Sequence, residues 1–162
     1  MLTGERADLV KLLDRQRGFL RFTVQNLTDE QAASRPVPST TLSLGGLIKH
    51  VSATEQSWYA FATGTESTGA GAENWADAFR MTEGETLAGL LADYEKVAAR
   101  TDDLIATADL DASYPLPEAP WFEAGASWSV RHVLIHLIAE ISQHAGHADI
   151  IREAIDGQKT MG

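Results

Sequence analysis

The stretch "SVRHVLIHLIAEISQHAGHADIIREAIDG", residues 129–157, reads as one long helix. On a wheel of about 100° per residue with Val130 at zero, Leu134, Leu137, Ile141, Ala148 and Ile155 fall within about 40° of zero. Ser127 or Ser129 supplies the N-cap, and Gly157 is a natural stop. Four of the five histidines lie in this segment. On the same wheel His144, Glu140, His147 and His136 follow one another, in that order, down a single flank of the apolar stripe, with His144 nearest to it. His132 lies further round and turns away from the stripe.

Working outward, three more long helices are expected. The first runs from about Glu5 to Asn26, with Leu9, Leu12, Leu13, Gln16, Phe19, Leu20 and Val24 in its stripe. Prolines and Ser/Thr then break the period, with "TDEQ" (28–31) able to form a short helical turn. The second begins at Ser43 and ends at Gly64, with Leu44, Leu47, Ile48, Val51, Trp58 and Ala62 on one face. The Gly-rich run 63–78 reads as irregular. The third starts at "TEGE", where Thr82 and Glu85 have capping-box spacing. Residues 109–126 carry three prolines and no helical period, which suggests a functional loop. No strand pattern competes, so residues 1–162 are read as a single all-α domain, a four-helix bundle.

Composition narrows the function. A net charge of -10 argues against a nucleic-acid partner, because phosphate backbones are gripped by Lys and Arg. The charged N-terminus argues against a signal peptide or a membrane span, which suggests the cytoplasm. With no cysteine, a thiolate metal site and a cysteine nucleophile are excluded. Any thiol chemistry must use a thiol from outside the chain.

On a wheel drawn for the second helix from Leu44, His50 sits beside the apolar stripe rather than opposite it. It can therefore meet side chains on the rim of the last helix. Glu140 and His144, spaced i, i+4, lie one above the other and can grip one ion. A third donor would complete a His₂Glu set with open positions. The competing reading is solvated polar residues beside the core, since such pairs are common on helices. Glu55 falls inside an apolar stripe and needs a partner, with Arg21 or Arg131 as candidates. Trp58, Trp121, Phe122 and Trp128 read mainly as packing, although Trp121 and Phe122 could cover a pocket mouth.

"LSLGGLIKHVSATEQSWY" (42–59) followed by "SWSVRHVLIHLIAEISQHAGHADIIREAIDG" (127–157) resembles the DinB/YfiT-like superfamily. It is most similar to the actinobacterial mini-circle branch, near mycothiol-dependent maleylpyruvate isomerase and the thiol S-transferases. The resemblance implies an up-down four-helix bundle, frequently a homodimer, that holds a divalent metal. One ligand comes from the end of a "KH" stretch and two from the last helix, four residues apart. On this chain those positions are His50, Glu140 and His144. Many relatives carry His where this chain has Glu140, while the isomerase-like branch uses Glu. Zinc is the first expectation for the metal, with nickel, manganese or iron as alternatives.

The resemblance further implies a metal-dependent S-transferase or isomerase in which a mycothiol-type thiol attacks a small electrophile. In the alternative of metal-assisted hydrolysis, His147 or His136 is the candidate general base. His147 could also serve as a ligand in place of Glu140 or support His144 from three residues away, and His136 could orient Glu140 through a hydrogen bond. A non-catalytic metal- or ligand-binding module uses the same three ligands.

Overall fold

The computed structural model describes residues 2–65 and 77–161. The irregular reading of the Gly-rich run lies, for residues 66–76, outside the described residues. Four long helices dominate: α1 (Gly4–Phe22), α3 (Leu44–Ala62), α4 (Leu87–Thr107) and α5 (Val130–Asp156). The short α2 (Asp29–Ala33) is closed by a full capping box between Thr28 and Gln31. A 3-10 turn covers Asp77–Phe79, and β1 (Ser113–Pro115) pairs antiparallel with β2 (Ser127–Ser129).

Local chemistry accounts for the helix limits. Ser43 and Ser129 cap α3 and α5 by accepting the backbone N–H groups of Gly46 and His132. Gly157 ends α5 in the left-handed region, at φ 79°. The start of α4 differs from the sequence reading. Glu85 does accept the Thr82 N–H at 2.6 Å, but Gly84 at φ 84° turns the chain out of helical geometry. Thr86 becomes the working cap, accepting from Gly89. α1 ends at Phe22 rather than Asn26, and Asn26 itself takes a positive φ of 62°. The two three-residue strands are too short for alternation to announce them.

The all-α reading holds. The core joins Leu13 and Leu20 of α1, Leu47, Ile48 and Val51 of α3, Tyr94 and Ile105 of α4, and Leu134, Leu137 and Ile141 of α5. Leu12, expected in the α1 stripe, is 42% exposed, and Arg17 takes an inward position instead.

Contacts at the helix ends set the directions. Arg131 at the start of α5 pairs with Glu5 at the start of α1, and Arg152 near the end of α5 donates to the carbonyls of Thr23 and Gln25. α1 and α5 are therefore parallel. Arg6 at the start of α1 donates to the carbonyls of Ile105 and Ala108 at the end of α4, so α4 runs opposite. α3 is antiparallel to α5, because His50 meets His144 while Trp58 meets Trp128. The order is up, down, down, up rather than strict alternation. Returning along a helix of α3's length, roughly 28 Å, takes about nine extended residues. The span 63–86 between α3 and α4 is longer than that, so chain length permits two successive helices to point the same way.

Arg17 and Glu55 form a buried pair linking α1 to α3, and Arg17 Nη1 also donates to Asp102 of α4 at 2.8 Å. Glu55 is fully buried. The partner is thus neither Arg21, which faces Asp14, nor Arg131, which pairs with Glu5 and Asp111. Sequence distance favoured neither answer, because an arginine inside a stripe reads as an interruption.

Candidate metal centre

The antiparallel α3–α5 seam aligns two side-chain rows, each at i, i+4 spacing. His50, Thr54 and Trp58 line α3, and His132, His136, Glu140 and His144 line α5. At one end of the seam His50, Glu140 and His144 converge, with one donor atom from each within 4.8 Å of the others. His144 Nε2 lies 3.2 Å from Glu140 Oε1, and His50 Nε2 lies 3.6 Å from the same oxygen. All three side chains are partly buried. Among the described residues this is the one such group of His, Cys, Asp or Glu.

The donor set fits a divalent ion. Ligand bonds of about 2.0–2.2 Å in a tetrahedron hold neighbouring donors roughly 3.3–3.6 Å apart, close to the two spacings seen here. Two imidazole nitrogens and one carboxylate oxygen leave coordination positions open.

Glu140 is ionised at neutral pH. Its carboxyl is held well below the ordinary carboxylate range by hydrogen bonding to His144 and then to His50, which together outweigh the opposing effect of burial. The site therefore offers a negative charge with two imidazole rings beside it.

Two glycines place the first histidine. A Cβ on Gly46 would stand 1.9 Å from the Phe79 carbonyl oxygen, and one on Gly45 would stand 2.2 Å from Met81 Sδ. Their absence lets residues 79–81 lie directly on the first turn of α3. Lys49 reinforces this by pairing with Glu85 at 2.8 Å. The Phe79 ring then stacks on His50, with centroids 4.0 Å apart and planes 24° from parallel. Sequence reading passed over Phe79 and the Gly45–Gly46 pair. The only available signal was two adjacent glycines inside a helical period, where each is unfavourable unless a close approach requires it.

The other candidate residues take separate places. His147 Nδ1 lies 3.5 Å from His144 Nδ1, behind the face of His144 that meets Glu140. His136 makes no hydrogen bond to Glu140. It sits instead against Trp58 and Trp128, with ring centroids 5.0 and 5.1 Å away, and burial pushes its pKa down. His132 is exposed and stacks on Trp128 at 4.2 Å. Phe122 joins the same aromatic cluster, edge-on to Trp128 at 5.5 Å. Trp121 is 78% exposed, with its ring edge-on to Phe122 at 6.2 Å.

A family model described as mycothiol-S-transferase matches residues 8–157. No curated protein matches the chain. A solved structure of a conserved protein from Enterococcus faecalis superposes with a TM-score of 0.75 at 14% sequence identity, covering 97% of this chain and 100% of that one. At that identity the likeness is one of fold.

Proposed function

The chain belongs to the mycothiol-S-transferase family, and on that premise we propose that it joins a mycothiol-type thiol to a small electrophile at a divalent ion, zinc first, held by His50, Glu140 and His144. The observation that carries this reading is the convergence of three donors from two helices on a volume of ionic size. A divalent ion so held supplies thiolate stabilisation at neutral pH.

The chain's own groups divide the remaining work. It contains no cysteine, so the sulfur nucleophile belongs to the cosubstrate. Glu140 contributes a fixed negative charge. His147 Nδ1 stands 3.5 Å from His144 Nδ1, so with an ion held it would accept the Nδ1 proton of His144 and leave the His144 Nε2 lone pair for the ion. His147 is thus a positioning residue in this scheme. His136 stays neutral through burial and keeps one ring nitrogen able to accept a proton at the aromatic end of the seam. Family resemblance also supports a homodimer, which light scattering tests; a species of monomer mass alone would overturn that part. Among the described residues, no helix is long and apolar enough to cross a membrane.

The test is metal analysis of untagged protein, joined to a conjugation assay with mycothiol and monochlorobimane. The expected result is near-stoichiometric metal and a rate that collapses with chelation and returns with zinc. An undiminished rate in thoroughly chelated protein would overturn the reading.

A further inference from the structure

The two facing rows on α3 and α5 make one continuous seam whose ends differ in chemistry. The end already described gathers His50, Glu140 and His144. One turn along, Thr54 and His136 face the seam, and Thr54 Oγ1 lies 3.5 Å from His50 Nε2. A further turn along, the seam becomes aromatic. Trp58 stacks on Trp128 at 4.9 Å, and Phe122 meets Trp58 edge-on at 6.4 Å. His136 is the hinge between the two ends. It lies one turn from Glu140 on α5, with its ring packed against both tryptophans.

These rings are not sealed in the core. Trp58, Phe122, Trp128 and His136 are all half-buried, whereas the residues behind them on α5, Val133, Leu134 and Leu137, are fully buried. A partly open aromatic wall so near an ionic cluster is a place for an apolar group to stand while its reactive atom reaches the donors. The wall offers few hydrogen-bonding groups: the indole N–H groups and the His136 ring. That chemistry suits a planar apolar group and suits a polyhydroxylated thiol poorly.

We infer that Trp58, Phe122, Trp128 and His136 form the acceptor subsite, which selects electrophiles carrying an aromatic or other planar apolar group next to the reactive carbon. This rests on the proposed S-transferase reading and specifies its substrate class. In the conjugation, the thiol releases its proton to solvent, the thiolate sulfur forms a bond to the electrophilic carbon, and the carbon–leaving group bond breaks with its electron pair. For a chloroacetamide the departing group is chloride.

Two electrophiles with the same reactive end separate the subsite from the chemistry: N-benzylchloroacetamide and N-methylchloroacetamide. The wild type should show a lower KM for the benzyl compound. Trp128→Leu and His136→Phe should act differently on that preference. The first removes the ring against which Trp58, Phe122 and His136 are packed, which disorganises the wall, and should raise the benzyl KM about three- to tenfold, the range expected for losing one or two aromatic contacts. The second keeps a ring and removes the polar edge, so it should retain or lower the benzyl KM. Metal content and the KM for mycothiol should stay unchanged in both variants.

An activity-free readout uses unreactive N-benzylacetamide, which should quench tryptophan fluorescence of the metal-free wild type and do so less in Trp128→Leu. Should Trp128→Leu not fold, Phe122→Ala on the adjoining loop takes its place. Equal KM values for the two electrophiles in the wild type would overturn the subsite, as would a change in mycothiol KM instead. Absence of any conjugation, with N-benzylacetamide still quenching, would overturn the transferase reading and leave the aromatic site standing.

Discussion

The rings of Phe79 and His50 stack at 4.0 Å although 29 positions separate them in the chain, and two glycines at 45 and 46 leave the space that brings them together. The contact packs the face of one candidate metal ligand, and the same ring lies 6.4 Å from the ring of another, His144.

Phe79→Ala should therefore weaken metal binding. An aromatic pair contributes about 0.5–1.5 kcal/mol, so affinity should fall roughly three- to tenfold. Cobalt makes a convenient probe, because its visible absorption reports ligand geometry. The cobalt spectrum should shift in Phe79→Ala and be restored in Phe79→Tyr. Gly46→Ala should act in the same direction, since the added Cβ displaces the Phe79 carbonyl. Unaltered cobalt affinity in Phe79→Ala would show that the stack does nothing for the site.

His144→Ala and His132→Ala should behave differently although both remove an imidazole from α5. His144 supplies one of three donors, and among the described residues no other His, Cys, Asp or Glu belongs to that group. Metal content and conjugation should fall together in that variant. His132 is exposed and touches only the outer face of Trp128, so its variant should keep its metal. Equal metal retention in the two would exclude His144 as a ligand.

Glu55→Ala should be among the most destabilising single changes in the protein. It leaves the Arg17 guanidinium buried with Asp102, 39% exposed, as its remaining carboxylate. Breaking one partner of such a pair costs about 3–5 kcal/mol. The double variant Arg17→Met with Glu55→Leu removes both charges and should recover most of that loss in urea denaturation. A loss under about 1 kcal/mol for Glu55→Ala would mean that water reaches the pair.

The metal-free protein should carry an acid-sensitive contribution from Glu140. Its folded-state carboxyl is depressed below the ordinary value of 4.5 by His144 and His50. A depressed carboxyl stabilises the folded state at pH values above the unfolded pKa, and that stabilisation fades as the pH falls below it. Between pH 6 and pH 3 the melting temperature of chelated wild type should thus drop further than that of Glu140→Gln. Parallel curves would show that the carboxylate gains nothing from its two histidines.

The sequence determined whatever depends on neighbours within about one helical turn. Ser43, Ser129 and Gly157 mark helix limits because caps are local hydrogen bonds and local φ values. Glu140 and His144 share a face because about 3.6 residues make a turn, and the turn at 28–31 is legible because its capping box is self-contained. Where a local signal failed, a second local feature was the cause, as Gly84 was for the start of α4. Tertiary structure alone decided which distant side chains meet. It chose Arg17 for Glu55, laid Phe79 on His50, built the aromatic wall from α3, β2 and α5, and ran α3 and α4 in one direction, while the pairing of His50 with Glu140 and His144 was named beforehand only by resemblance. None of these is encoded in spacing. Each follows from how helices pack once their apolar stripes are buried together, and a wheel drawn for one helix carries no information about its neighbour's rotation or direction.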